Sequence, residues 1–157
     1  SWKIEYKISV EDVILQMANF SFDVFVGDLC RSILIGARMV ICPNESKQDW
    51  SGLLEIILKE KVSIIEGTPG LLNPFLKYVI FNKRSVNFLR LVVFGSESFN
   101  MAELNNYRLF FGERLAFVNS YGTTETSIDS AFYVDFKMIQ QLFPVDLINT
   151  NRNRQNK

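Results

Sequence analysis

Short runs in which nearly every position is apolar alternate along the chain with longer stretches in which apolar residues recur at helical spacing. The runs are residues 38–42 (RMVIC), 62–65 (VSII), 89–94 (LRLVVF) and 114–119 (RLAFVN), each rich in β-branched or aromatic residues. A strand without polar alternation is buried on both faces, as in a parallel sheet covered by helices. The helical stretches carry start signals. Ser9 with Asp12 reads as a capping box for a short helix to about Met17, and Ser46 with Asp49 opens a helix to about Lys59. Thr68 ahead of Pro69 pairs a cap with a first-turn proline before GLLNPFLKYVIF, and Asn100 with Glu103 opens MAELNNYRLFF. Residues 20–37 (FSFDVFVGDLCRSILIGA) begin as a strand-like alternation and turn helical after Asp23, which stands at the junction as an N-cap or as a ligand group. The pattern predicts an α/β fold, a doubly wound, mainly parallel sheet with helices on both faces and binding groups at the carboxyl ends of the strands.

Composition narrows the function. At 157 residues with 48% hydrophobic content the chain suffices for one sizeable core, and no repeat divides it. Lys+Arg and Asp+Glu stand at 17 each, which leaves no net field to hold a nucleic-acid backbone or an anionic membrane. There is no histidine, so a Ser-His-Asp triad and histidine metal sites are excluded. Cys30 and Cys42 lack paired zinc-site spacing and are expected to be reduced, packed thiols of a cytoplasmic protein. No apolar run approaches the ~20 residues of a bilayer span. From about Phe136 the pattern lapses, and the chain ends in INTNRNRQNK, a tail with too little apolar surface to order itself.

The densest polar cluster, NSYGTTE (residues 119–125), follows an apolar run. One or two such residues make a turn; a string of hydroxyls with a carboxylate suits a nucleotide and its magnesium ion, the carboxylate oxygens being hard donors. GSES (residues 95–98) reads as a strand-to-helix turn, since no second glycine or lysine makes it a phosphate loop.

In chain order, FSFDVFVGDL, GTPGLL, LVVFGSES and NSYGTTE resemble the central part of the adenylation domain of nonribosomal peptide synthetases, within the AMP-forming synthetase superfamily. The family signature Asn-x-Tyr-Gly-Pro-Thr-Glu is matched at Asn119, Tyr121, Gly122, Thr124 and Glu125, with Thr123 in place of proline. The resemblance covers about residues 2–135. It implies a flavodoxin-like subdomain over residues 1–135, a divergent tail over 136–157, and ATP or AMP with magnesium as cofactors. Tyr121 would lie on the adenine, Gly95, Ser96 and Glu97 would contact it through the backbone, and Thr124 and Glu125 would act at the α-phosphate and the magnesium ion. Asp23 would pair with the α-ammonium of an amino-acid substrate.

The resemblance also nominates a side-chain pocket of Val24, Gly27, Glu66, Val92, Phe94, Ser120, Ile128 and Asp129. Two carboxylates, Glu66 and Asp129, in an apolar pocket repel one another unless a cation answers them, so a basic substrate is expected, ornithine first. The competing arrangement has one acid facing solvent, or a register shifted by one residue. The family's phosphate loop, ribose-binding Asp and catalytic lysine are not recognisable in the 157 residues, so the chain is expected to act only joined to the rest of a synthetase and its carrier-protein domain. The alternative is a non-catalytic α/β remnant or nucleotide-binding interaction module. An acyl- or aryl-acid ligase would leave Asp23 without an ammonium to bind.

Overall fold

Val13, Ile14, Leu15 and Gln16 are all buried and form a strand, β1 (Val13–Gln16). The computed structural model describes residues 4, 6–95, 97, 100–121 and 131–134. The helix expected over residues 9–17 is therefore corrected. Ser9 N–H does donate to Asp12 Oδ2 at 2.9 Å, as in a capping box, but the pair closes a turn in which Asp12 N–H meets the Ser9 carbonyl at 3.2 Å. Four consecutive buried positions need neighbours on every side, and β1 finds a strand on each edge and a packed layer on each face.

The next element is α1 (Asp23–Ile35), closed by Gly36, whose φ of 84° is the left-handed conformation that lets its N–H reach the Ser32 carbonyl at 2.9 Å. The strand-like alternation before it does not form a strand: Asn19 folds residues 19–22 into a turn, accepting from Ser21 N–H at 3.1 Å, and Phe20 is 80% exposed. β2 (Arg38–Ile41) follows, then a 3-10 turn (Asn44–Ser46) and α2 (Trp50–Glu60). The cap of α2 is Asp49, which accepts from Ser51 N–H at 3.1 Å, and Ser46 belongs to the preceding turn. β3 (Ile64–Gly67) leads through Thr68 and Pro69 into α3 (Pro69–Phe81), as the sequence predicts. β4 (Leu91–Phe94) leads to α4 (Met101–Phe111), capped by Asn100 through a 2.8 Å bond from Ala102 N–H. β5 (Ala116–Tyr121) and β6 (Ala131–Val134) complete the described elements.

The sheet order is β2-β1-β3-β4-β5-β6, parallel except for β6, which runs antiparallel to β5. Chain direction across the sheet reverses between β1 and β3, the switch point at which doubly wound folds open a crevice beyond the strand ends. Alternate residues of each strand serve opposite layers. Val13, Leu15, Ile65, Val92, Phe94 and Phe117 pack with α2, α3 and α4. Ile14, Ile64, Leu91, Val93 and Val118 pack on the other face with Tyr6, Ile8 and Ile35, the last on α1. At ~1.5–3 kcal/mol for each fully buried large apolar side chain, the first layer contributes most of the stabilisation. Cys42 is buried, and that burial pushes its thiol pKa up; Cys30, expected to be packed, is exposed on α1. Among the described residues no helix is long and apolar enough to cross a membrane.

Candidate functional site at the carboxyl ends of the strands

The chain leaves β1 through residues 17–22 and enters α1 with Phe22 in the N-cap position and Asp23 as the first helical residue. Asp23 is thus not the N-cap itself. Its Oδ1 accepts from Val24 N–H at 2.8 Å, which points the carboxylate toward the amino end of the helix, where the helix dipole favours an anion. Asp23, Gly27 and Arg31 are spaced four apart and share a stripe of α1, with Val24 and Asp28 beside it. Gly27, Asp28 and Arg31 are buried.

Arg31 reaches across to the sheet and forms an ion pair through Nη1 with Glu66 Oε2 at the carboxyl end of β3. The same Nη1 lies 3.2 Å from Asp28 Oδ1. All three side chains are buried, the least so at 2% exposure, and Tyr6 adds its influence on Arg31 from the N-terminal segment. Burial, then the charge of Glu66, push the Asp28 carboxyl pKa up to about 8, with Arg31 opposing. For Arg31 burial alone would favour the neutral form, yet the charges of Glu66 and Asp28 outweigh it and raise its pKa. Among the described residues Arg31 is a cation paired with Glu66, and Asp28 is a second carboxylate beside it; Asp129 lies outside the described residues.

Strand alternation sorts the remaining pocket candidates. Glu66 is in register with Val93, and both project to the α1 side. Val92 and Phe94 project to the opposite layer, where Phe94 stacks on Phe117 with ring centroids 6.3 Å apart, and both are fully buried. They pack in the core under α3 and α4, on the face opposite Glu66. Val93 and Gly95, one residue on in each case, fall on the Glu66 side of the sheet. Gly95 sits under Ser120: a Cβ there would meet Ser120 Oγ at 3.4 Å. Ser120 is buried, and its hydroxyl donates to the Phe94 carbonyl at 3.5 Å, which keeps β4 and β5 together where the crevice opens.

Near the end of β5, Asn119 Oδ1 is buried and has no hydrogen-bond partner among the described residues. Glu97 accepts from Gly70 N–H at 3.2 Å, tying the turn after β4 to the first turn of α3. Tyr121 ends β5, its backbone opposite Ala131. Ser96, Gly122, Thr123, Thr124, Glu125, Ile128 and the tail from residue 136 lie outside the described residues. Among the described residues no three acidic or sulfur groups gather as a metal site.

The family model for the AMP-binding enzymes matches residues 1–148. The chain belongs to that family. Gramicidin S synthase 2 of Brevibacillus brevis is 40% identical over 134 residues, 85% of this chain and 3% of that protein, and tyrocidine synthase 3 of Brevibacillus parabrevis is 38% identical over 134 residues, 85% and 2%. The chain spans only a few per cent of the length of these relatives. Among solved structures, the nonribosomal peptide synthetase FmoA3 in its alpha-methyl-L-serine-AMP bound form superposes with a TM-score of 0.75 at 23% identity, covering 84% of this chain and 15% of that one. The chain is a segment of an adenylation domain of the nonribosomal peptide synthetase kind, with the doubly wound fold read from its pattern.

Asp28 and Arg31 were not among the expected site residues of this AMP-binding segment. Their signal was present: two charges three apart, inside the otherwise apolar DVFVGDLCRSILI, fall on its buried stripe. Val93 beside Glu66 was not legible for a different reason, because a run apolar at every position carries no sign of which parity faces which layer.

Proposed function

We propose that this segment selects the amino acid and holds the adenosine part of the nucleotide in ATP-dependent aminoacyl-adenylate formation, and that its substrate is a basic amino acid, ornithine first. The observation that carries the reading is the buried Glu66 carboxylate on the α1 side of the sheet at the same strand ends as Asp23. Asp23 takes the α-ammonium of the substrate, and Gly27, Val93 and Gly95 leave room for a methylene stem that ends near Glu66.

The described residues fit an adenine: Asn119 Oδ1 is a buried acceptor open to an exocyclic amino group, and Gly95 brings bare backbone to the same edge. Thr124 and Glu125 complete the set at the phosphate and the magnesium ion, whose chemistry is to neutralise charge on the transferring phosphoryl oxygens. The residues of this chain bind, orient and exclude water. The lysines that the family uses at the phosphates have no counterpart recognisable in these 157 residues, so the isolated chain forms little or no adenylate.

The test is amino-acid-dependent ATP–pyrophosphate exchange with residues 20–130 grafted into a complete, active adenylation domain. Exchange driven by ornithine, lysine or arginine supports the reading. Exchange driven by an apolar amino acid refutes the basic substrate, and a folded but silent graft turns the reading to a non-catalytic module.

A further inference from the structure

The first turn of a helix leaves backbone N–H groups without partners inside the helix. In α3, Pro69 has no N–H to satisfy, and the N–H groups of Leu71 and Leu72 reach the Thr68 carbonyl at 3.0 and 2.9 Å. That leaves Gly70. Thr68 holds the N-cap position, yet its side chain makes no capping bond. The acceptor is instead Glu97 Oε2, 3.2 Å from Gly70 N–H and 27 residues further along the chain. The helix dipole favours a carboxylate at this end, in addition to the bond itself. A second tie runs the same way, from Gly95 N–H to the Gly67 carbonyl at the end of β3, at 3.0 Å. Glu97 N–H meets the Gly95 carbonyl at 2.9 Å, so the two ties hold the two ends of one tight turn. That turn leaves β4 beside the buried Asn119 acceptor, because Phe94 is in register with Asn119.

We propose that the Glu97 side chain is a positioning group for the nucleotide: by capping α3 from outside the helix, it holds the turn of Gly95 and Glu97 where the backbone meets the adenine. This rests on the nucleotide reading above. The carboxylate touches no nucleotide atom in this role. Without its bond to Gly70 the turn keeps the anchor at Gly95 and loses the one at Glu97, and an arriving adenine must order the turn itself, at a cost in affinity. Glutamine keeps an oxygen that can accept from Gly70 N–H, whereas alanine removes the acceptor altogether.

The experiment measures the affinities of the 157-residue chain for adenosine and for AMP by calorimetry, and the Gly70 amide proton by NMR in the same samples. Glu97→Ala should weaken both ligands by the same factor, about three- to tenfold, as the loss of one hydrogen bond implies. It should also move the Gly70 amide proton upfield, the sign of a bond lost there. Glu97→Gln should recover most of the affinity and most of the shift. Both variants replace an exposed side chain and leave the buried layers as they are. Equal affinities in wild type and Glu97→Ala overturn the positioning role, whatever happens at Gly70. A loss confined to AMP overturns it too, since Glu97 would then act at the phosphate. So does a Glu97→Gln variant as weak as Glu97→Ala, which would place the effect in the charge and not in the bond. A wild-type chain that binds neither adenosine nor AMP overturns the nucleotide reading, and this inference with it.

Discussion

Asp12 ties three strands together at the end of the sheet opposite the site, and its replacement by Asn tests whether that tie stabilises the fold. Its Oδ1 accepts from Ser63 Oγ at 2.7 Å and from Arg90 Nε at 2.8 Å; its Oδ2 accepts from Arg90 Nη2 at 2.7 Å and Ser9 N–H at 2.9 Å. Arg90 also donates to the Tyr6 carbonyl at 3.0 Å, so the N-terminal segment hangs on the same group. Asp12→Asn keeps the volume and removes the charge. Hydrogen bonds to a charged group contribute ~1.5–3 kcal/mol, and breaking a buried pair costs ~3–5 kcal/mol. The Arg90 side chain is 34% exposed, and water re-solvates part of it, so the expected loss is about 2–3 kcal/mol. For a chain of this size that lowers Tm by roughly 4–12 °C.

The pH dependence gives a second check on the same variant. Burial works to raise the Asp12 pKa, but hydrogen bonds from Arg90, Ser63 and Ser9 outweigh it and hold the carboxyl below its ordinary value of 3.8. A depressed folded pKa contributes stability that is complete above the unfolded value and is lost as pH falls through the folded one. The gap between wild type and Asp12→Asn in urea unfolding should therefore be full at pH 7 and shrink below about pH 4. A variant within about 0.5 kcal/mol of wild type at pH 7, or a gap that stays constant down to pH 3, would refute the argument.

Asp28 gives the opposite sign. Its raised pKa means the folded chain keeps a proton that the unfolded chain has released, so its contribution to stability declines as pH rises from about 4 to about 8. Asp28→Asn should flatten that decline in urea unfolding measured at pH 5 and pH 8; an undiminished decline would place the titrating group elsewhere. Phe94→Leu should lower stability by about 1–3 kcal/mol through the lost Phe117 stack and leave amino-acid preference in the grafted exchange assay unaltered. Val93→Phe, on the α1 side, should shift that preference toward smaller amino acids, and no shift would remove Val93 from the substrate side of the sheet.

Why some of this was legible in the sequence and some not follows from which forces choose each element. The runs at β2, β3, β4 and β5 and the caps at Thr68 and Asn100 act locally, and each predicts its own element. β1 is different. Ser9 and Asp12 make the local bonds of a helix start, and those bonds also suit a turn; the decision comes from Ser63 and Arg90, 51 and 78 residues further along the chain, which hold Asp12 at the sheet end and leave Val13–Gln16 only the strand conformation. At the site the same divide separates Glu66 from its neighbours. A lone acid in an apolar strand announces itself, whereas LVVF has the same chemistry on either parity. Because side chains alternate, an error of one residue moves every assignment to the other face, and only the pairing of Glu66 with Val93 shows which residues stand beside the carboxylate. The Arg31–Glu66 pair is hidden from local pattern for the same reason: the two lie 35 residues apart in sequence, and only the packing of α1 on β3 brings them together.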